Sequence, residues 1–214
     1  MMAMERRRLF VKVCGITSPE DALLAAEAGA DAVGFVFWPG SPRHVDAAMA
    51  RRMSDALPAS IVRVGVFVDA RADDMARAAD EACLDLLQLH GVEPPEALRS
   101  LPRRAWKAVR VGRDFVAADA LRYEGRAAGI LLDSRGDGLP GGTGKAFDWA
   151  LAREVRNGTS FLVLAGGLHA ENVADAIALV RPDGIDVSSG VEASPGRKDP
   201  SRVRDFIAAA RGAP

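Results

Sequence analysis

Eight times along the chain a short apolar run gives way to a segment of helical character, and the alternation does not break. The apolar runs cover residues 9–14, 31–37, 61–68, 84–89, 105–111, 128–132, 161–165 and 184–187. They are short, rich in Val, Ile, Leu and Phe, and bounded by turn formers, which predicts strands. The intervening segments at 18–28, 46–57, 71–83, 95–101, 114–121, 147–156, 169–180 and 200–211 predict helices. Ser18-Pro19-Glu20-Asp21 is a clear helix start: a capping hydroxyl, a proline at the first helical position, then acids. Strands joined through helices are parallel. The run 62–68 is apolar on nearly every position, as in a strand covered on both faces. An open doubly wound sheet and a closed (β/α)8 barrel both satisfy this pattern. The count of eight favours the TIM barrel.

Composition narrows the role. With 214 residues, 49% hydrophobic and 27% charged, the chain has ample material for one large core, and no shift in composition marks a boundary. Residues 9–214 are therefore expected to form one barrel domain, and residues 1–8, with Arg6-Arg7-Arg8, a frayed N-terminal extension. A net charge of −1 gives no case for nucleic acid or a membrane as partner. Two cysteines, Cys14 and Cys83, make no disulfide framework, so a reducing cytoplasm is expected. Lys12 cuts short the apolar run 9–11, so neither a signal-peptide core nor a membrane span can be drawn there.

Barrels of this kind place their chemistry at the C-terminal ends of the strands. That rule reduces the chain to Cys14, Arg43, Asp69, His90, Arg110 or Val111, Asp133, Gly166-Gly167 and Ser188-Ser189-Gly190. The last two glycine-bearing turns are the strongest ligand signal, because freed backbone N–H groups there make a phosphate site. Lys12 and Cys14 alternate onto one side of the first strand, and a nearby ammonium favours thiolate over thiol. Cys14 reads as a base or nucleophile, or else as a buried structural cysteine. Asp133 reads as a general acid or base, or as a cap or salt-bridge partner. Arg43, stiffened by Pro42, suits a carboxylate, or is a surface arginine. His90 could donate to phosphate or to a substrate hydroxyl. Gly136 to Gly141 fits G-x-G-x-x-G but opens no helix, and Gly144-Lys145 lacks the rest of a P-loop. The stretch 134–144 is expected to be a long loop beside the site, with Gly144 and Lys145 as possible ligand contacts. No His and carboxylate spacing suggests a metal.

Taken together, the motifs resemble one family. Lys12-Val-Cys-Gly-Ile-Thr17, Gly34-Phe-Val-Phe with Ser41-Pro-Arg43, Val64-Gly-Val-Phe-Val68, Gln88-Leu-His-Gly91 and Leu131-Leu-Asp133 are similar to those of phosphoribosylanthranilate isomerases. So are Gly141-Gly-Thr-Gly-Lys145 with Phe147-Asp-Trp149, Leu164-Ala-Gly-Gly-Leu168 and Asp186-Val-Ser-Ser-Gly-Val-Glu192. The similarity runs from about Val11 to Ile207. It implies a stand-alone, cofactor-free enzyme of tryptophan biosynthesis that performs an Amadori rearrangement on a phosphorylated small molecule, as a monomer or homodimer. It further implies Asp133 as the acid that opens the furanose ring and Cys14 as the base at C2′. Arg43 would bind the anthranilate carboxylate, Gly166, Gly167, Ser188, Ser189 and Gly190 the phosphate, and His90 and Asp186 would orient the sugar or a catalytic group. Three rivals remain. The next synthase of the pathway would need a lysine-centred set, and a metal-dependent epimerase more strand-end histidines than His90. A sensor barrel would have no use for both Cys14 and Asp133.

Overall fold

A computed structural model describes residues 8–134 and 149–213. Eight strands close into a parallel barrel in sequence order: β1 (Phe10–Cys14), β2 (Ala32–Val36), β3 (Val62–Phe67), β4 (Leu86–Leu89), β5 (Ala105–Val111), β6 (Gly129–Ser134), β7 (Leu162–Leu164) and β8 (Gly184–Val187). β1 closes the ring on β8. The helices are α1 (Pro19–Glu27), α2 (Ala47–Ala56), α3 (Ala72–Glu81), α4 (Ala117–Leu121), α5 (Trp149–Gly158), α6 (Val173–Val180) and α7 (Pro200–Gly212). The fourth connection, Pro95–Ser100, is a 3₁₀ helix. The barrel is the fold expected from the eightfold rhythm.

Helix starts follow the sequence closely. Ser18 caps α1 through Asp21 N–H at 3.2 Å, and Asp46 caps α2 through Met49 N–H at 2.7 Å. Differences lie where side chains intervene. The helix expected from His169 begins only at Val173, because Asn172 accepts a hydrogen bond from His169 N–H and holds 169–172 as a turn. After β8 the chain makes a 3₁₀ turn (Ser189–Val191) and a small hairpin, β9 (Glu192–Ser194) with β10 (Arg197–Lys198), before α7. That hairpin was not foreseen. The expected frayed extension falls outside the described residues except at Arg8, which pairs with Asp31 at 2.8 Å. Of the loop expected over 134–144, Ser134 belongs to β6; residues 135–144, Lys145 and the first two residues of the sixth predicted helix, Phe147 and Asp148, lie outside the described residues.

Register sorts the side chains. Neighbours across a parallel ladder share a face, so the pairs Phe10 with Gly184, Lys12 with Asp186, Cys14 with Gly34, Gln88 with Trp106 and Arg110 with Asp133 each point the same way. These residues form the inner layers. At the bottom, Phe10 meets Trp106 edge-on at 5.7 Å and Phe161 at 6.4 Å, while Trp106 stacks on Phe161 at 5.8 Å. Each aromatic pair contributes about 0.5–1.5 kcal/mol beyond burial and plugs that end. The alternate positions, among them Val11, Val13, Val33, Phe35, Leu87 and Leu132, are buried between barrel and helices. Full burial of each such side chain stabilises by roughly 1.5–3 kcal/mol. The packed floor leaves the opposite end open, and that end carries the polar inner layer.

Candidate active site

At the open end is a cavity of about 850 Å³. Its wall includes Cys14, Arg43, His90, Asp133, Gly166, Gly167, Asp186, Ser188, Ser189 and Gly190. These ten, and Arg110 with them, meet in one space; Asp69, the other strand-end candidate from the sequence, lines a second cavity instead. Sequence reasoning passed over Trp38, Gln88 and Ser134 as part of the same wall.

Cys14 is the last residue of β1 and is 8% exposed. It packs with Val36 and Val66. A side chain could not occupy the neighbouring position on β2: a Cβ on Gly34 would lie 2.7 Å from Cys14 Sγ and 3.1 Å from Lys12 Nζ. The absent side chain makes room for both groups. Burial pushes the Cys14 thiol up; Lys12 pulls it down, Asp186 pushes it up again, and the net is above the ordinary thiol value. The ammonium acts in the direction expected from the sequence, but desolvation outweighs it.

Asp133 sits at the end of β6, where the ladder pairs it with Arg110. His90 Nε2 lies 3.1 Å from Asp133 Oδ2, and Gln88 Nε2 lies 3.2 Å from His90 Nδ1. With the Gln88 amide so placed, Nδ1 accepts, and Nε2–H is left to donate to Asp133. His90 therefore orients a carboxyl group. Asp186 on β8 is buried and lies 2.9 Å from Lys12 Nζ, an ion pair whose alignment falls short of a good hydrogen bond. Burial raises Asp186 more than Lys12 lowers it.

Arg43 is the main surprise. Its Nε and Nη2 donate to the two carboxylate oxygens of Glu192, at 2.7 and 2.6 Å. Glu192 in turn accepts from Lys198 Nζ at 2.9 Å. Among the described residues Nη1 has no partner, so it is the part of the guanidinium left for a ligand. Glu192 appeared in the sequence only as the end of a motif. A buried acid in a hairpin that could not be foreseen gave no signal of its own.

The two glycine turns face each other across the β7 and β8 ends. Gly166 and Gly167 have φ of +81° and +69°, a region other residues rarely enter. A Cβ on Gly166 would also come within 2.7 Å of Asp133 Oδ1. Asn172 Nδ2 donates to Gly167 O at 3.0 Å and fixes the first turn. Lys198 Nζ, 3.3 Å from Ser188 O, fixes the second. Among the described residues no group of three or more His, Cys, Asp and Glu is arranged to hold a metal ion.

A family model of N-(5′-phosphoribosyl)anthranilate (PRA) isomerase matches residues 11–209 of the chain. The chain belongs to the phosphoribosylanthranilate isomerase family. An N-(5′-phosphoribosyl)anthranilate isomerase from Trichlorobacter lovleyi is 48% identical over 203 residues, covering 95% of this chain and 98% of that one. A structure of monomers of the dimeric isomerase from Thermotoga maritima superposes with a TM-score of 0.86 at 45% identity, covering 95% and 99% of the two chains. A phosphoribosylanthranilate isomerase in complex with reduced 1-(o-carboxyphenylamino)-1-deoxyribulose 5-phosphate gives a TM-score of 0.86 at 44% identity, with the same coverage. Within the family, then, a barrel of this shape has been seen holding an open-chain sugar phosphate that carries a carboxylated ring. No helix among the described residues is long and apolar enough to cross a membrane.

Proposed function

We propose that this isomerase works with Cys14 as its base and Asp133 as its acid. The chain is an isomerase of tryptophan biosynthesis, converting N-(5′-phosphoribosyl)anthranilate to 1-(2-carboxyphenylamino)-1-deoxyribulose 5-phosphate. The observation that supports the role assignment is the presence of one thiol and one histidine-held carboxyl in the same cavity, on strands β1 and β6.

The chemistry needs both. Asp133 gives a proton to the furanose ring oxygen. The C1′–O bond breaks as the anthranilate nitrogen forms C1′=N⁺, a Schiff base. Cys14, as thiolate, removes the proton from C2′. The electron pair closes C1′=C2′ and neutralises the nitrogen, giving an enolamine. Return of a proton to C1′, with loss of one from the C2′ hydroxyl, gives the ketone. A buried thiol held above its usual value suits this sequence, because the cationic Schiff base arrives beside it and favours its ionised form. C2′ is oxidised as C1′ is reduced within the one molecule, so no external oxidant, reductant or cofactor is called for.

Binding follows the same wall. The turns at Gly166-Gly167 and Ser188-Ser189-Gly190 present backbone N–H groups to the phosphate. Arg43 Nη1 takes the anthranilate carboxylate. Asp186 and His90 orient the groups around the sugar. Residues 9–214 make up the isomerase domain, acting on a free metabolite in the cytoplasm as a monomer or homodimer.

The test is turnover followed by substrate fluorescence without added metal. Cys14→Ala and Asp133→Asn should each lower kcat by about 10²–10⁴-fold, the range for a positioned base or acid. Wild-type kcat in either variant would remove that residue from its role.

A further inference from the structure

Lys12 is fully buried on β1, in the inner layer between the aromatic floor and the cavity. A lysine is almost never buried without a partner. Its partner is Asp186, opposite it on the β8 ladder, yet neither Lys12 Nζ nor Asp186 Oδ1 completes a well-aligned hydrogen bond. The ammonium therefore has bonding capacity unspent inside the barrel. The direction open to it is Cys14, two residues on along the same face. The missing Gly34 side chain is the reason: Lys12 Nζ and Cys14 Sγ both lie within 3.1 Å of the point a Cβ would occupy there.

We propose that Lys12 is a positioning residue for the isomerisation: anchored on Asp186, its ammonium is the fixed counter-ion that steadies Cys14 as a thiolate. The proposal rests on Cys14 being the base. The thiolate takes the C2′ proton and becomes a thiol, and Lys12 keeps its own protons throughout. Lys12 holds its charge because burial, which works against it, is outweighed by Asp186 and Cys14. Other charged groups reach Cys14 as well. Asp186 opposes its ionisation from β8, and Lys198 assists from β10. The Arg43 side chain, in the loop after β2, also feels its charge. Asp133 and His90 act on Asp186 in turn, from β6 and the end of β4. Among these groups Lys12 is the strongest influence favouring the thiolate.

The experiment titrates Cys14 directly by thiolate ultraviolet absorbance, in a Cys83→Ser background that leaves no other thiol. Lys12→Met should move the midpoint upward by about 1–3 pH units, as loss of an adjacent opposite charge does. At fixed pH below the midpoint kcat should fall in the same proportion, with KM unchanged, and recover as pH rises. Asp186→Asn should move the midpoint the other way, downward, because it removes an anion and keeps the ammonium. Opposite shifts support the proposal. No shift in Lys12→Met, or shifts of both variants in one direction as a loosened barrel would give, overturn it. If Lys12→Met does not fold, Asp186→Asn decides alone: a fall supports the proposal, and a rise or no change overturns it. Wild-type turnover in Cys14→Ala would instead remove the base assignment and leave the titration result standing.

Discussion

Of the buried lysine–carboxylate pairs among the described residues, two have their lysine on a barrel strand, Lys107 with Glu93 and Lys12 with Asp186, and they differ in how fully each lysine is used. Lys107, on β5, donates to Glu93 Oε2 at 2.8 Å, Gly91 O at 2.7 Å and Leu89 O at 3.3 Å. All three of its protons have acceptors. Glu93 also accepts from the N–H groups of Asp69 and Gly91, so the pair ties the ends of β3, β4 and β5 together. It borders a second cavity, of about 510 Å³, that holds no thiol. Lys12 has one carboxylate neighbour, poorly aligned, and a cysteine beside it. A buried pair whose hydrogen bonds are complete is a clamp. One left incomplete beside a thiol keeps bonding capacity that can act on it.

The comparison predicts a division of effects. The largest is on rate. Cys14→Ala, beside Lys12, should cost about 10²–10⁴-fold in kcat with little loss of stability, since a small thiol contributes modest packing. Denaturant midpoints measured alongside turnover check both halves. Lys107→Met should do the reverse, losing about 3–5 kcal/mol of unfolding free energy because Glu93 is stranded, while kcat per folded molecule is retained. If Lys107→Met loses activity without losing stability, the division is wrong.

Smaller effects sharpen the picture. Arg43→Ala removes a charge-assisted contact of about 1.5–3 kcal/mol and should raise KM roughly 10–100-fold with kcat little changed. An unchanged KM would place the carboxylate elsewhere. Smaller still is the response to acid. Burial raises Glu93, but Lys107 and backbone donors outweigh it, leaving its carboxyl below the usual value; Glu192 behaves alike through Arg43 and Lys198. A carboxyl lowered in the folded state adds stability above its unfolded value, near 4.5, and that stability drains as pH falls through the folded value. Urea unfolding between neutral and acid pH should reveal this loss, and Glu93→Gln should flatten the slope. An unaltered slope would mean the Glu93 pair has no part in acid stability.

Much of this was legible in the sequence for a simple reason. In a parallel barrel the strand ends converge, so a list of strand-end residues is already a list of neighbours. Cys14, His90, Asp133 and the glycine turns needed only correct strand boundaries, and those come from short apolar runs. What the sequence hid depends on register and on irregular backbone. The pairing of Lys12 with Asp186 follows from how β1 closes on β8, which no local pattern encodes. A lysine in an apolar strand does signal a missing counter-ion, but with Asp133 and Asp186 both on strands the sequence did not say which acid supplies it. Glu192 was hidden more deeply. Its grip on Arg43 spans 149 residues and arises in a hairpin within a stretch, 191–199, to which the sequence assigned no element. Asn172, which delays α6 and fixes the Gly167 turn, looked like an ordinary first-turn residue.

The central claim is geometric: a sulfur and a carboxyl flank one sugar chain whose phosphate rests on the last two turns. The most direct measurement is a crystal structure of this chain with the reduced product bound. The account predicts Cys14 Sγ facing C2′ from one side, Asp133 facing the former ring oxygen from the other, and the phosphate on the N–H groups of Gly166-Gly167 and Ser189-Gly190. A bound product with C2′ turned away from Cys14, or with its phosphate outside those turns, would contradict it.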